Sequence, residues 1–157
     1  MWSLSKVHQV GELVAAAAVV VSLVFVGLQI RDNTIASEAA TFQSVASDDL
    51  QLLLNISASP ALSRAFDAYM WEPAIDLSDD ELLQGQWHLL ALLRHFENVY
   101  FQYERGMLSE DAWTARDQFL SNTVRSPGFQ RLLSSGRYQN FSGPFRDYVA
   151  EIRRNRE

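Results

Sequence analysis

The chain has 157 residues, of which 48% are apolar, 20% charged and 11% aromatic, with four prolines and no cysteine. That is one domain's worth of sequence, too apolar to be disordered and too short for two large cores. The missing cysteines exclude disulfide frameworks, Cys-containing zinc sites, thiol redox centres and Cys nucleophiles, and a formal net charge of −6 argues against a general nucleic-acid binder.

The charge is unevenly spread. Residues 1–71 carry 3 basic and 6 acidic side chains, residues 72–124 carry 3 and 10, and residues 125–157 reverse the sign with 7 arginines against 3 acids. One account pairs a basic C-terminal helix with the acidic region before it. The other sets Arg146, Arg153, Arg154 and Arg156 against anionic lipid headgroups.

The first element is a long apolar helix. Leu13 to Ile30 carries no charge, and Leu13–Leu28 holds only Ser22 and Gly27 outside the apolar set. As a helix those eighteen residues span about 27 Å, close to the hydrocarbon thickness of a bilayer. No polar stripe is present on any face, so the segment reads as a transmembrane helix. A cleaved signal peptide and a core helix buried by the rest of the chain are the competing readings. Lys6 before the span and Arg31 after it tie under the positive-inside rule, and the arginine-rich tail tips the expectation to a cytoplasmic C-terminal domain.

Gly11, Ala15, Ala18 and Ser22 follow at spacings of 4, 3 and 4 and form a stripe of small residues, a candidate helix–helix contact between copies. Glu12 sits at the expected headgroup boundary with His8 one turn earlier, an arrangement that suits hydration or mutual pairing; a proton or transport role is the sharper reading.

Beyond the span the pattern stays helical. Ile35, Ala39, Phe42, Ala46, Leu50, Leu53 and Ile56 recur at helical spacing, and no Gly or Pro intervenes between Leu28 and Ser59, so the membrane helix is expected to continue as an amphipathic one. Ser59-Pro60 starts a short helix to about Met70, with Leu62, Ala65, Phe66 and Tyr69 on its apolar side. Pro73–Leu77 reads as a loop.

Ser78-Asp79-Asp80-Glu81 is a capping box for a helix to about Arg105, which carries Leu82, Leu89, Leu92, Phe96, Val99 and Tyr103 at core spacing; Gly106 is its left-handed terminator. Ser109 caps a helix over about Glu110–Val124 with Trp113, Phe119 and Leu120 inward. Ser126-Pro127 opens a short helix to about Ser134. Ser142-Gly143-Pro144 opens the last, to about Arg154, with Phe145, Tyr148, Val149 and Ile152 apolar. Nothing alternates with period two, so no sheet is expected.

Motifs that carry chemistry are scarce. No P-loop, dinucleotide fingerprint, nucleophile elbow or H-E-x-x-H occurs. Glu81, His88 and His95 share a helix side at heptad spacing, but consecutive members lie about 10.5 Å apart along the axis, too far for one metal ion. A metal site on His88, His95, Glu97 and Glu104 would need ligands from a neighbouring helix. Arg94 and Glu97 are placed to pair, and Asn98 to bond a neighbouring helix, roles that fix register. Trp71, Trp87, Tyr100, Phe101, Tyr103 and Trp113 read as core or helix-contact residues, with a ligand pocket among them as the alternative. Glu97-Asn98-Val99-Tyr100-Phe101-Gln102 resembles a viral protease recognition sequence, yet its register with the core pattern marks it as native helix.

Three blocks carry a family resemblance: Gly11–Val14 leading into Ala18–Leu23, Leu28-Gln29-Ile30-Arg31-Asp32-Asn33-Thr34, and Phe96–Gln102 followed by Gly106-Met107-Leu108 and Trp113. In these the chain resembles an uncharacterised family of small bacterial single-pass membrane-anchored all-helical proteins. Family members often carry a basic residue soon after the Asn-Thr, where this chain has Ile35-Ala36-Ser37. The resemblance implies architecture and bacterial origin, and no activity.

The expectation is therefore an all-α protein, with an N-terminal tail and transmembrane helix over 1–34 continuing into a small helical bundle over 35–157. It is read as a bacterial inner-membrane interaction or assembly module that engages a second copy or another membrane protein, with no cofactor, no catalytic residue and no nucleic acid. A membrane-tethered small-ligand sensor is the alternative, and a helical metal site or enzyme the weaker one. An apolar cavity with convergent polar groups favours the sensor, converging His and Glu side chains favour the metal site, and an exposed apolar stripe beside a packed core favours the interaction module.

Overall fold

With no proline anywhere before residue 60 and no glycine between Leu28 and Ser59, nothing in the backbone interrupts the first helix. In the computed structural model, which describes residues 4–74 and 76–155, α1 runs unbroken over Leu4–Ser57. It is followed by α2 (Pro60–Trp71), α3 (Asp79–Glu104), α4 (Glu110–Thr123), α5 (Pro127–Ser134), a 3-10 turn η1 (Arg137–Asn140) and α6 (Gly143–Arg154). The protein is all-α, 86% helical, with no strand among the described residues. Residues 1–3, Ile75 within the expected Pro73–Leu77 loop, and Arg156 of the basic tail lie outside the described residues.

The chain divides into two compact units, Met1–Ala39 and Ala40–Glu157. The first holds a stretch long and apolar enough to cross a membrane, with a window of mean hydropathy 2.6 of which none is buried.

In the second unit the helix ends are set by local chemistry. Ser59, Ser109 and Ser126 each stand at an N-cap and accept the backbone N–H three residues on, from Leu62, Ala112 and Phe129. The Ser78 capping box is formed in both directions: Glu81 N–H donates to Ser78 Oγ at 3.4 Å and Ser78 N–H to Glu81 Oε2 at 2.9 Å. Those bonds from the Ser78 backbone and hydroxyl hold the Glu81 carboxyl below its ordinary range. Gly106 (φ +69°) terminates α3, with Gly106 N–H donating to Tyr103 O and Met107 N–H to Gln102 O, the paired bonds of a Schellman end. The η1 turn was not expected from the sequence; its four residues carry no apolar periodicity to mark them.

α3 is the central helix. Leu89, Leu92, Leu93, Phe96 and Val99 are buried on it, and around them pack Tyr69 and Met70 of α2, Trp113 and Leu120 of α4, Phe129 and Leu132 of α5, and Phe145, Val149 and Ile152 of α6. α2 approaches α3 so closely at Gly85 that a Cβ there would meet Tyr69 Cβ and Cγ at 2.6 Å. A side chain fixed to backbone at that distance cannot swing away, so only glycine lets these two helices meet.

Several inward assignments change. On α1 the expected stripe of Phe42, Leu50 and Leu53 is exposed, at 49%, 56% and 65%, and Val45 (2%) with the partly buried Leu52 faces the core instead. Both stripes have helical period, so spacing alone could not choose between them. Phe119 (49%) points outward while Trp113 and Leu120 are buried. Trp71, Trp87 and Phe101, expected in the core or at helix contacts, are exposed at 44%, 55% and 47%.

The C-terminal arginines are not paired with acids: among the described residues no ion pair involves Arg125, Arg131, Arg137, Arg146, Arg153 or Arg154. Five of them instead donate to backbone carbonyls or side-chain amide oxygens. Arg131 donates to the Tyr69, Glu72 and Pro73 oxygens at the end of α2, and Arg125 donates to Ile152 O at the end of α6. Guanidinium is suited to this because helix C-termini carry orphan carbonyls and partial negative charge. Arg146 reaches Gln139, and Arg153 reaches Gln130 and the face of Phe129.

Candidate functional site

The strongest polar constellation joins three helices. Asp49 of α1 accepts from His95 Nε2 (2.6 Å) on one oxygen and from Arg116 Nη2 (2.7 Å) of α4 on the other. The His95 and Arg116 side chains are only 6% and 16% exposed, and Asp49 is 36% exposed. Arg116 also donates to Ala112 O at 3.0 Å, lies 5.8 Å from the Phe42 ring, and keeps a buried Nε without a partner.

A carboxylate that takes one bond from an imidazole and one from a guanidinium offsets part of the cost of burying both donors. In α1, Asp49 falls at the 3–4-residue spacing of Val45, Leu52 and Ile56, so an acid on the inward face was the legible signal for it. Its partners lie 46 and 67 residues away and were not.

Beside this cluster, Asp48, Gln51, Leu52, Asn55, Arg94, His95 and Asn98 line a cleft of about 320 Å³ between α1 and α3. The site thus holds one histidine oriented by a carboxylate, and no Ser, Thr or Cys nucleophile lines the cleft beside it among the described residues.

The expected site residues are engaged separately. His88 donates Nδ1–H to Gln84 O at 2.8 Å and lies against Phe66. Glu97 accepts from Arg94 Nη1 (2.5 Å) and from the Ser142 N–H (2.6 Å), so it caps α6 from a distance. Burial alone would push the Glu97 carboxyl up; the Ser142 and Arg94 donors outweigh it and the net shift is down. The motif around Glu97 thus has structural work at both ends, since Tyr100 packs on Trp113, Phe145 and Tyr148. Glu104 is exposed on the last turn of α3. Among the described residues no three His, Asp or Glu side chains converge as a metal site would require. His88, His95, Glu97 and Glu104 are not brought together.

In the first unit His8 Nε2 stands 3.3 Å from Glu12 Oε1, both exposed. Gly11, Ala15, Ala18 and Ser22 are all exposed, and a Cβ at Gly11 would meet nothing within 4 Å. Asn98, expected to bond a neighbouring helix, instead lines the α1–α3 cleft.

Tyr100, Tyr103, Trp113 and Tyr148 form a packed aromatic wall, whereas Trp71 and Trp87 each line a cleft at the surface. Tyr100 stacks on Tyr148 at 4.7 Å and Tyr103 on Trp113 at 5.1 Å; Tyr148 donates to Asp117 at 2.6 Å and Tyr103 to Glu110 at 2.6 Å. Burial together with the Asp117 bond drives the Tyr148 hydroxyl well above the ordinary phenol range. The Tyr138 hydroxyl and Arg146 Nε are buried without partners. Burial pushes Tyr138 up to about 12 against the opposing pull of Arg146 and Arg153.

A group that holds its proton more tightly folded than unfolded costs stability as pH rises from the unfolded pKa to the folded one. Stability is therefore expected to fall between pH 10 and about 12. Tyr138→Phe should flatten that slope and leave neutral-pH stability unchanged or raised by up to about 1–3 kcal/mol, because a buried hydroxyl without a partner is itself a cost. Urea unfolding of the two proteins at pH 8 and at alkaline pH measures both. A clear loss at pH 8 would show that the hydroxyl has a partner after all.

No protein-family model, curated protein or solved structure significantly matches this chain.

Proposed function

We propose that the chain is a single-pass bacterial inner-membrane protein whose helical domain lies in the cytoplasm and acts as a non-enzymatic interaction module, engaging a second copy or another membrane protein. The observation that carries this reading is an apolar face left uncovered beside a filled core. Leu50, Leu53 and Leu54 on α1 are 56%, 65% and 59% exposed, and Phe42 on the same helix is 49% exposed. α4 adds Phe119 (49%), one turn from the Arg116 that faces Phe42.

Single exposed apolar residues are ordinary, but contiguous ones mark contact surfaces. The membrane assignment is supported by the span's apolar composition and its uncovered side chains, and the cytoplasmic side by the arginine excess of residues 125–157. The stripe of Gly11, Ala15, Ala18 and Ser22 offers a second contact within lipid.

The chain lacks cysteine, so one introduced thiol is a clean reporter. With self-association, Leu53→Cys in native membranes should give a disulfide-linked dimer on mild oxidation, and Glu104→Cys, on the exposed last turn of α3, should not. Ala18→Leu should weaken the crosslink. If neither thiol crosslinks and no other membrane protein is captured at Leu53, the interaction reading fails.

A further inference from the structure

A second cleft, of about 390 Å³, lies between α3 and η1 and is lined by Trp87, Leu90, Ala91, Arg94, Arg137 and Asn140. In a chain of net charge −6, two guanidinium groups and no carboxylate line it. One wall is apolar: Trp87, Leu90 and Ala91 occupy one side of α3, and the Trp87 indole is 55% exposed, an unusual position for so large a ring.

Both arginines are held in place by the fold. Arg137 lies over the Trp87 ring at 4.9 Å and donates to Gln86. Arg94 lies over the Phe141 ring at 4.3 Å and donates to Asn140 O at 2.9 Å and to Glu97. Glu97 offsets the charge of Arg94, whereas Arg137 meets no carboxylate among the described residues. A guanidinium stacked on an aromatic face keeps its in-plane N–H donors free at the edge and loses little entropy on binding an anion.

The volume falls in the range of small-molecule sites, roughly 300–1,000 Å³. We propose that this cleft binds a small apolar carboxylate, its flat body against Trp87 and Leu90 and its carboxylate on the free edge of Arg137, with Arg94 and Asn140 alongside. This site is separate from the exposed face of α1 and does not depend on the interaction role. It would give that module a ligand to respond to.

The test uses the full chain in phosphatidylcholine nanodiscs, which present no net-anionic headgroup, with empty nanodiscs as the calorimetric blank. The probes are 1-naphthoate, the neutral 1-naphthamide, and acetate. Naphthoate should bind, and naphthamide and acetate should each bind at least about tenfold more weakly, since one lacks the charge and the other the apolar body. Arg137→Gln and Trp87→Ala should each weaken naphthoate binding by about tenfold or more. Trp87 is exposed and Arg137 half-buried, and unchanged far-UV circular dichroism would confirm that the fold survives.

The proposal is overturned if naphthoate shows no saturable binding at millimolar concentration, if naphthamide binds as well, if acetate binds as well, or if Arg137→Gln binds naphthoate as the parent does. Capture of an acidic peptide without naphthoate binding would also overturn it and assign the cleft to a protein partner. The Leu53→Cys crosslink is indifferent to all of these outcomes.

Discussion

Replacing Val20 and Val24 together by arginine is expected to free the protein from the membrane fraction. Both side chains are 59% exposed in the middle of the apolar stretch. An arginine at the centre of a membrane helix costs about 2.5–3.5 kcal/mol on insertion scales, so two cost about 5–7 kcal/mol, several powers of ten in partitioning. Both residues belong to the first compact unit, so the helical domain should keep its fold and the effect should be confined to localisation. Carbonate-washed membranes should retain the parent and the Val20→Leu/Val24→Leu control, while the double arginine variant leaves with the supernatant or aggregates. Retention of the arginine variant would mean that hydrocarbon does not surround this helix, and the proposed localisation would fall.

The second large effect is expected at Asp49. Asp49→Ala removes the one carboxylate that both His95 and Arg116 contact, leaving a guanidinium that is 16% exposed with Ala112 O as its remaining acceptor. Breaking a buried ion pair by removing one partner typically costs about 3–5 kcal/mol; the partial exposure of Asp49 brings the expected loss to about 2–4 kcal/mol.

In an Arg116→Met background the same change should cost less than half as much, because the stranded charge is gone. Urea unfolding of the four proteins in nonionic detergent, followed by tryptophan fluorescence, closes the cycle. Additive losses would mean that the three side chains are neighbours without energetic coupling. In this unit α1 contributes Val45 to the fully buried core and Leu52 at its edge. Opening the Asp49 contacts should therefore raise protease cleavage near Ser57–Pro60 before the rest of the bundle unfolds.

Much of the helical map was legible because helix ends are local events. Ser59-Pro60, the Ser78–Glu81 box, Ser109, Ser126-Pro127 and Gly106 each act on backbone groups within about four residues, so the chain near each one carries the whole instruction. The apolar stretch from Leu13 to Ile30 was readable for a related reason, since its lack of a polar side holds whatever lies next to it. The Arg94–Glu97 pair, at i, i+3, was found as expected.

The candidate sites were another matter. Glu81, His88 and His95 share a helix side, but that side is divided among a cap, a surface ring and a buried contact with α1. Trp87 and Trp113 are the same residue type on helical segments, and only their neighbours make one a packed wall and the other an exposed platform for Arg137.

By itself, then, the sequence determined where helices begin and end, that no sheet forms among the described residues, and that one segment is fit to cross a bilayer. Tertiary structure alone decided which face of α1 turns inward, that Asp49 meets His95 and Arg116, that the late arginines cap distant carbonyls, and that Gly85 must be bare for Tyr69. The physical reason is range. Capping and periodicity act within one or two turns, whereas face selection and charge pairing depend on surfaces 46 to 67 residues apart that meet only once the bundle has packed.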